Sequence, residues 1–458
     1  MKNRKVIISI VSVLVIIVVW FGTVMSLNDS KEVHTQADLA RQANEFRDKG
    51  LYVRAYPLYE EALSIKTENN RDITEDLLNA YYADGRYIDY TNWVDNLPMT
   101  GDKLSPDNYV KYATIINERG FVVDSIEKAF EGLAQYPDYQ PLEDLILQYK
   151  YAFNAFNISA TEAGNFVSKK YRAPILDNEG KWEYCSSSGY LSYDSGYELT
   201  REYSKNGLHA VKIDGKWFIL DSDSNKYAID ETGVDDVIAT DDNYILAMEN
   251  GKMSFYDIDF NIINEEAAYD ELSLASDDRV IAAREGSKWI ILDTSFDRVN
   301  DTDYEDIAID SWHYPSEGGV MMLKEKGKWY LCDTTGKHIS EEGFADAKAP
   351  EEAGALIAVA NEEGRWGYID PTGKLVIDYK YEDAQSFSCG LGAVMEYDEW
   401  DYIDSSDTVR IDLGVDELRP FHDGVAIGKN SEGILIVNLY YTEKDIEDAK
   451  AGVKNEDV

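Results

Sequence analysis

The sequence predicts an α+β multidomain protein: one apolar span, a block of helical hairpins and a larger block of β repeats. Three observations predict it. Eight copies of a short pattern recur every 34–40 residues through the last two-thirds of the chain, three glycines recur every 35 residues ahead of them, and Val6–Leu27 contains no charged side chain. Fixed periods of this length mark a structural unit used many times over, since one unit cannot bury its own apolar face.

The apolar span comes first. Twenty-two residues rising about 1.5 Å each would cross a hydrocarbon core of about 30 Å. Lys2, Arg4 and Lys5 precede it, so the positive-inside rule puts residues 1–30 down as a cytoplasmic basic stub and membrane anchor, with everything after Asn28 outside the cell. The competing reading is a signal peptide cleaved near Val24-Met25-Ser26 and a secreted protein.

Residues 31–160 read as helices. Leu39, Ala40, Ala43 and Phe46 form one apolar stripe and Ala55, Leu58, Tyr59, Ala62 and Leu63 the next, with Gly50 between them. Gly85 and Gly120 repeat that turn, followed by Tyr87 and Phe121 as Gly50 is followed by Tyr52. The plan resembles tetratricopeptide repeats, three hairpins side by side, with a last helix over about Leu142–Asn157 as a cap. Such a stack offers a groove lined by first helices, where Arg41, Gln42, Asn79, Tyr82, Lys111 and Tyr112 are candidate partner-binding residues.

Residues 165–442 change to an alternating, strand-like period. The clearest copy runs Gly364-Arg365-Trp366-Gly367-Tyr368-Ile369-Asp370-Pro371-Thr372-Gly373-Lys374, then Tyr381-Glu382-Asp383-Ala384 and Phe387. Its Trp slot is filled by Trp182, Trp217, Met253, Trp289, Trp329, Trp366, Trp400 and Leu435, spaced 35, 36, 36, 40, 37, 34 and 35. This pattern resembles the WG-type, or KWG, repeat family of bacterial proteins, although only Trp366 is followed by the second glycine. The resemblance implies repeat-mediated binding, often on envelope proteins. One unit reads as four short strands, Tyr381–Phe387, Leu391–Glu396, Trp400–Ile403 and Thr408–Ile411, joined by an Asp-x-x-Gly turn. Four strands in that length match a blade of a β-propeller with seven or eight blades, closed by strands shared between incomplete end units. An open β-solenoid is the alternative. Residues 443–458 read as an acidic tail.

The slot residues are expected to be core wedges between neighbouring units, and the Asp four residues after Trp to cap its turn. With 87 acidic against 44 basic residues the net charge is −43, which repels phosphate backbones and makes nucleic acid an unlikely partner. Cys185, Cys332 and Cys389 are expected as unbridged buried thiols. Asp221, Asp223 and Asn225 alternate like calcium ligands but lack the loop's later glycine and glutamate, leaving a weak metal candidate. Ser192-Tyr193-Asp194-Ser195-Gly196 resembles the Asp-box turn of sialidase-type propellers. Five histidines in no zinc spacing, no phosphate loop and no Gly-x-Ser-x-Gly elbow leave no cofactor and no catalytic motif. The expected function is a membrane-anchored extracytoplasmic scaffold that binds a protein, a peptide or a wall polymer. A propeller hydrolase of envelope carbohydrate and a calcium-dependent adhesin are the alternatives.

Overall fold

The computed structural model of the chain describes residues 31, 33–65, 70–97, 104–192, 197–230, 233–241, 244–264 and 268–453. Val6–Leu27 and most of the Ser192–Gly196 turn lie outside them. Among the described residues no helix is long and apolar enough to cross a membrane. The chain divides into two compact units, one running to Lys150 and resuming at Lys444, the other spanning Tyr151–Glu443.

The first unit is three helical hairpins: α1 (33–48) with α2 (Tyr52–Ser64), α3 (Asn70–Ala83) with α4 (Tyr87–Asp95), and α5 (Pro106–Glu118) with α6 (Val122–Gln135). Gly50, Gly85 and Gly120 each take a positive φ, of 69°, 71° and 90°, at the turn between partners. Only glycine adopts that backbone without strain. The cap is α7 (Gln140–Leu147), shorter than expected. Residues Phe153–Ile158 are not its continuation but a β-strand of the second unit. The expected border at 160 therefore moves back to 150. The C-terminal tail is corrected too: α8 (Glu443–Lys450) buries Ile446 and Ala449, and Lys450 pairs with Glu143 of α7 at 2.7 Å.

Among the described residues the second unit holds eight small antiparallel sheets. In chain order they occupy 160–185, 199–229, 236–257, 271–293, 306–333, 346–381, 383–415 and 417–439, with three or four strands each. The fourth strand of the eighth sheet is Phe153–Ile158, paired antiparallel with Gly433–Leu439 from Phe153 opposite Leu439 to Ile158 opposite Ile434. Eight apolar clusters fill the spaces between successive sheets, and one of them joins Ile427, Ile434 and Ile436 of the eighth sheet to Ala173, Ile175 and Cys185 of the first. Face-to-face packing in cyclic order, with the ring shut by a strand from the other end, is the arrangement of a β-propeller and excludes an open solenoid.

Each residue of the repeat has its place in this ring. Trp217, Trp289, Trp329, Trp366 and Trp400 are buried and pack toward the following sheet. Met253 packs there half-buried, whereas Trp182 is half-buried and joins no cluster. Leu435 is a slip by one residue. The pair Lys429–Ile434 repeats the register of Met395–Trp400, so Ile434 occupies the slot, while Leu435 points back at the seventh sheet. A one-residue shift in a strand reverses the face presented. Asp221, Asp257, Asp293, Asp333, Asp370 and Asp404 each accept the amides two and four residues ahead, as turn caps. The acid after the repeat's aromatic caps the other hairpin: Glu198, Asp270 and Glu305 accept the N–H of Gly215, Gly286 and Gly327, ahead of Lys and Trp. Gly367 is needed because a Cβ there would stand 2.5 Å from the Ile377 carbonyl of the outer strand. Asp401 in the same place accepts the bulged amides of Leu413 and Gly414 instead.

Candidate functional site

The loops leaving the first strand of each sheet converge on a cavity of about 220 Å³, lined from seven of the eight sheets. That placement puts it on the ring axis. Its floor is built by residues 308–319, which connect the strand Asp306–Ile307 to Val320–Glu325 and are longer than the equivalent 273–279 of the preceding sheet. Asp310 opens this loop as a turn cap, accepting the amides of Trp312 at 2.8 Å and Tyr314 at 2.7 Å. His313 takes a positive φ of 66°, and its carbonyl accepts the Leu274 amide of the neighbouring fourth sheet at 2.7 Å, while Asn165 of the first sheet donates to the Ser311 carbonyl at 3.3 Å, which holds the loop across the axis. Positive φ in a non-glycine residue costs energy and gathers at functional sites.

Four side chains there form one directed network. Trp312 Nε1 reaches His422 Nδ1 at 2.5 Å and Nε2 at 2.8 Å. Ser311 Oγ lies 3.1 Å from His422 Nε2 and 3.0 Å from Glu351 Oε2. The indole N–H can only donate, so we assign the Nδ1 lone pair as its acceptor. The hydrogen of the neutral ring then sits on Nε2 and points to Ser311, whose hydroxyl donates onward to Glu351. Burial holds His422 down to about 3, so the ring is neutral. In this tautomer the imidazole presents N–H to the serine and does not take its proton, so Ser311, His422 and Glu351 do not stand as a nucleophile with its base.

The carboxylates are held in the acid form more firmly than usual. Burial pushes Glu351 up to about 7, against the hydrogen bond from Ser311, and burial with the Glu351 charge raises Asp310 well above the carboxylate range. Burial raises Glu317 as well. Lys205 stands at the rim, 2.9 Å from Asp277 and 5.1 Å from the Tyr314 ring centroid.

Of the candidates singled out in the sequence, none lines this cavity. Asn79, Tyr82 and Lys111 do meet across α3 and α5: Lys111 donates to Asn79 at 2.7 Å and sits 5.3 Å from the Tyr82 ring. Arg41 and Gln42 are exposed on α1, with Arg41 paired to Asp38 and Glu45. Tyr112 is buried with its hydroxyl on Asp95, so it is core rather than groove. Asp221 spends its Oδ1 on the amides of Asp223 and Asn225, and Asn225 donates its own amide to Asp221 Oδ2 at 3.1 Å, presenting a donor where a metal needs an acceptor. Among the described residues no group of His, Cys, Asp and Glu is placed to hold a metal ion. The three cysteines are free, and burial pushes the Cys185 thiol up to about 11 and Cys332 and Cys389 up to about 12. Sequence reasoning missed Asp310, Ser311, Trp312, Glu351 and His422. Two signals pointed there: the spacing of 40 between Trp289 and Trp329 is the longest in the series, and Trp312 is a tryptophan out of phase with the repeat.

The family model of the WG containing repeat matches residues 366–400, the copy with both Trp366 and Gly367. No curated protein matches the chain. Solved structures similar to it include a eukaryotic initiation factor, at 13% identity over 60% of this chain and 79% of that one, with a TM-score of 0.39. Also similar are the WD40 domain of SCAP from fission yeast (9% identity, 64% and 99% coverage, TM-score 0.36) and YCF48 bound to D1 peptide (12%, 62% and 96%, TM-score 0.31).

Proposed function

We propose that the protein is a binding scaffold, held at the outer face of a membrane by Val6–Leu27, whose eight-sheet ring recognises a peptide segment of a partner protein in the axial cavity. The observation that carries the reading is the 308–319 loop. It departs from the repeat, is pinned across the ring axis by Asn165 and His422, and brings an aromatic, a serine and acids into one cavity. Residues that serve only the ring repeat in every sheet, and these do not. The resemblance to tetratricopeptide repeats adds a second contact surface at Asn79, Tyr82 and Lys111. The test is cross-linking and affinity capture from intact membranes with the full chain, comparing wild type with Trp312→Ala and with Lys111→Ala. Loss with Trp312→Ala at an unchanged melting temperature is the expected result, and loss with Lys111→Ala alone would move recognition to the helices. One observation favours a second reading. Asp310 and Glu351 are acids in a cavity with raised proton affinity, the tuning a hydrolase of envelope carbohydrate needs. Release of reducing sugar from envelope polysaccharide that stops with Glu351→Gln would establish it.

A further inference from the structure

We propose that the axial cavity captures a primary ammonium group carried by a lysine side chain of the partner peptide, set against Glu351 and Asp310. This rests on the cavity being the recognition site. The Glu351 side chain is 8% exposed, lines the cavity and receives only neutral donors, the Ser311 hydroxyl and backbone amide and, 3.6 Å away, the His422 ring. Asp310 receives only backbone amides. Among the described residues neither acid is paired with a lysine or arginine. The cavity's own lysine, Lys205, is committed to Asp277 at the rim.

Buried carboxylates without a cation are costly, and hydrogen bonds from neutral donors offset only part of that cost. Without a cation that cost is avoided by holding the acids protonated, and a ligand that brings one positive charge lets a proton leave and the carboxylate ionise, whereas the hydroxyls of a neutral sugar do not. The walls suit such a charge. The Lys205 ammonium already stands over the Tyr314 ring at 5.1 Å, and Trp312 adds a second aromatic surface near the acids.

The experiment titrates the full chain in detergent with acetyl-Gly-Gly-Lys-Gly-Gly-amide, following heat and tryptophan fluorescence. Its norleucine and acetyl-lysine counterparts, pentaglycine amide with a free amino terminus, and a neutral chitin oligosaccharide are the comparisons. The lysine peptide should saturate and bind at least about tenfold more tightly than either counterpart, about 1.4 kcal/mol. Glu351→Gln should lose at least about tenfold with no fall in its melting temperature. Equal binding by norleucine or acetyl-lysine peptide, no saturation by about 10 mM lysine peptide, or an unaffected Glu351→Gln variant would overturn the proposal. Tighter binding of pentaglycine amide would replace the lysine by an amino terminus, and tighter binding of the oligosaccharide would replace the ammonium altogether. If Trp312→Ala abolishes capture of the membrane partner while the lysine peptide never binds, the recognition site stands and the ammonium does not.

Discussion

The hairpin stack and the ring repeat at nearly the same length, and they differ in the contacts that stand out between their units. Between α1, α3 and α5 run polar links, beside the stacked rings of Tyr56 and Tyr81: Asn44 and Arg47 reach Asp76 at 2.9 and 2.6 Å, Lys111 reaches Asn79, and Ser105 and Asn108 both meet Glu75. Between sheets the links are apolar wedges, and the indole N–H groups of Trp217 and Trp329 are buried with no hydrogen-bond partner. A wedge can rely on area, because every sheet in a ring has two neighbours and no free face. A stack has ends, and directional hydrogen bonds set the register in which one hairpin meets the next.

That contrast can be broken by measurement, and the largest effect belongs to the ring. Trp366→Ala should cost about 3–5 kcal/mol in the second unit's unfolding transition, read by calorimetry. Asp76→Ala, which cuts two links in the stack, should cost only about 1 kcal/mol because its partners are partly solvated. Equal costs would end the distinction between wedge and link.

Two protons sharpen it inside the ring. Glu351 holds its proton up to about pH 7, against an ordinary value near 4.5, so its stability contribution is full below about 4.5 and is lost as pH rises through 7. Glu351→Gln should therefore gain on the wild type between pH 5 and 8, by up to about 3 kcal/mol. Asp310, Glu317, Glu202, His313, His422 and Lys205 surround the position and are common to both proteins. His209 has the opposite sign. It is fully buried, stacked 4.0 Å from Tyr203 with both ring nitrogens unpartnered, and burial lowers it to about 4. Its contribution is present above about pH 6.5 and lost as pH falls through 4, and His209→Phe should resist acid by up to about 3 kcal/mol. A melting-temperature series across pH separates the two. The smallest effect concerns calcium: Asp223→Ala should change no calcium titration, and a micromolar affinity that vanished with it would return the Asp221 turn to the list of metal sites.

The ring's plan was legible because its determinants repeat. A slot filled by tryptophan every 34–40 residues, and an aspartate four residues on, are visible without any pairing partner. The worn last copy was misread by one position because Ile434 and Leu435 are equally apolar, and only the register across to Lys429 tells them apart. The stretch up to Asn157 reads as helix in the sequence since its partner strand lies about 280 residues away. The tail looked merely acidic, and the two residues that seat α8, Ile446 and Ala449, are too few to form a period. The site was hardest to see because Asp310, Glu351 and His422 sit in loops with no repeat, brought together only by closure of the ring.

That closure also decides where a pull on the chain would go. The chain enters the ring beside Ala152 and leaves beside Tyr440, whose amide bonds the Ala152 carbonyl at 2.9 Å. The two ends therefore lie one strand spacing apart, and tension between them can only unzip the last ladder pair by pair from that end. The other seven sheets carry none of the load. Residues before 150 and after 444 belong to the same helical unit, and Lys450 is tied to Glu143 within it, so even the unzipping point is bridged. A protein fastened at one end and gripped at the other would transmit strain past its axial cavity without deforming it.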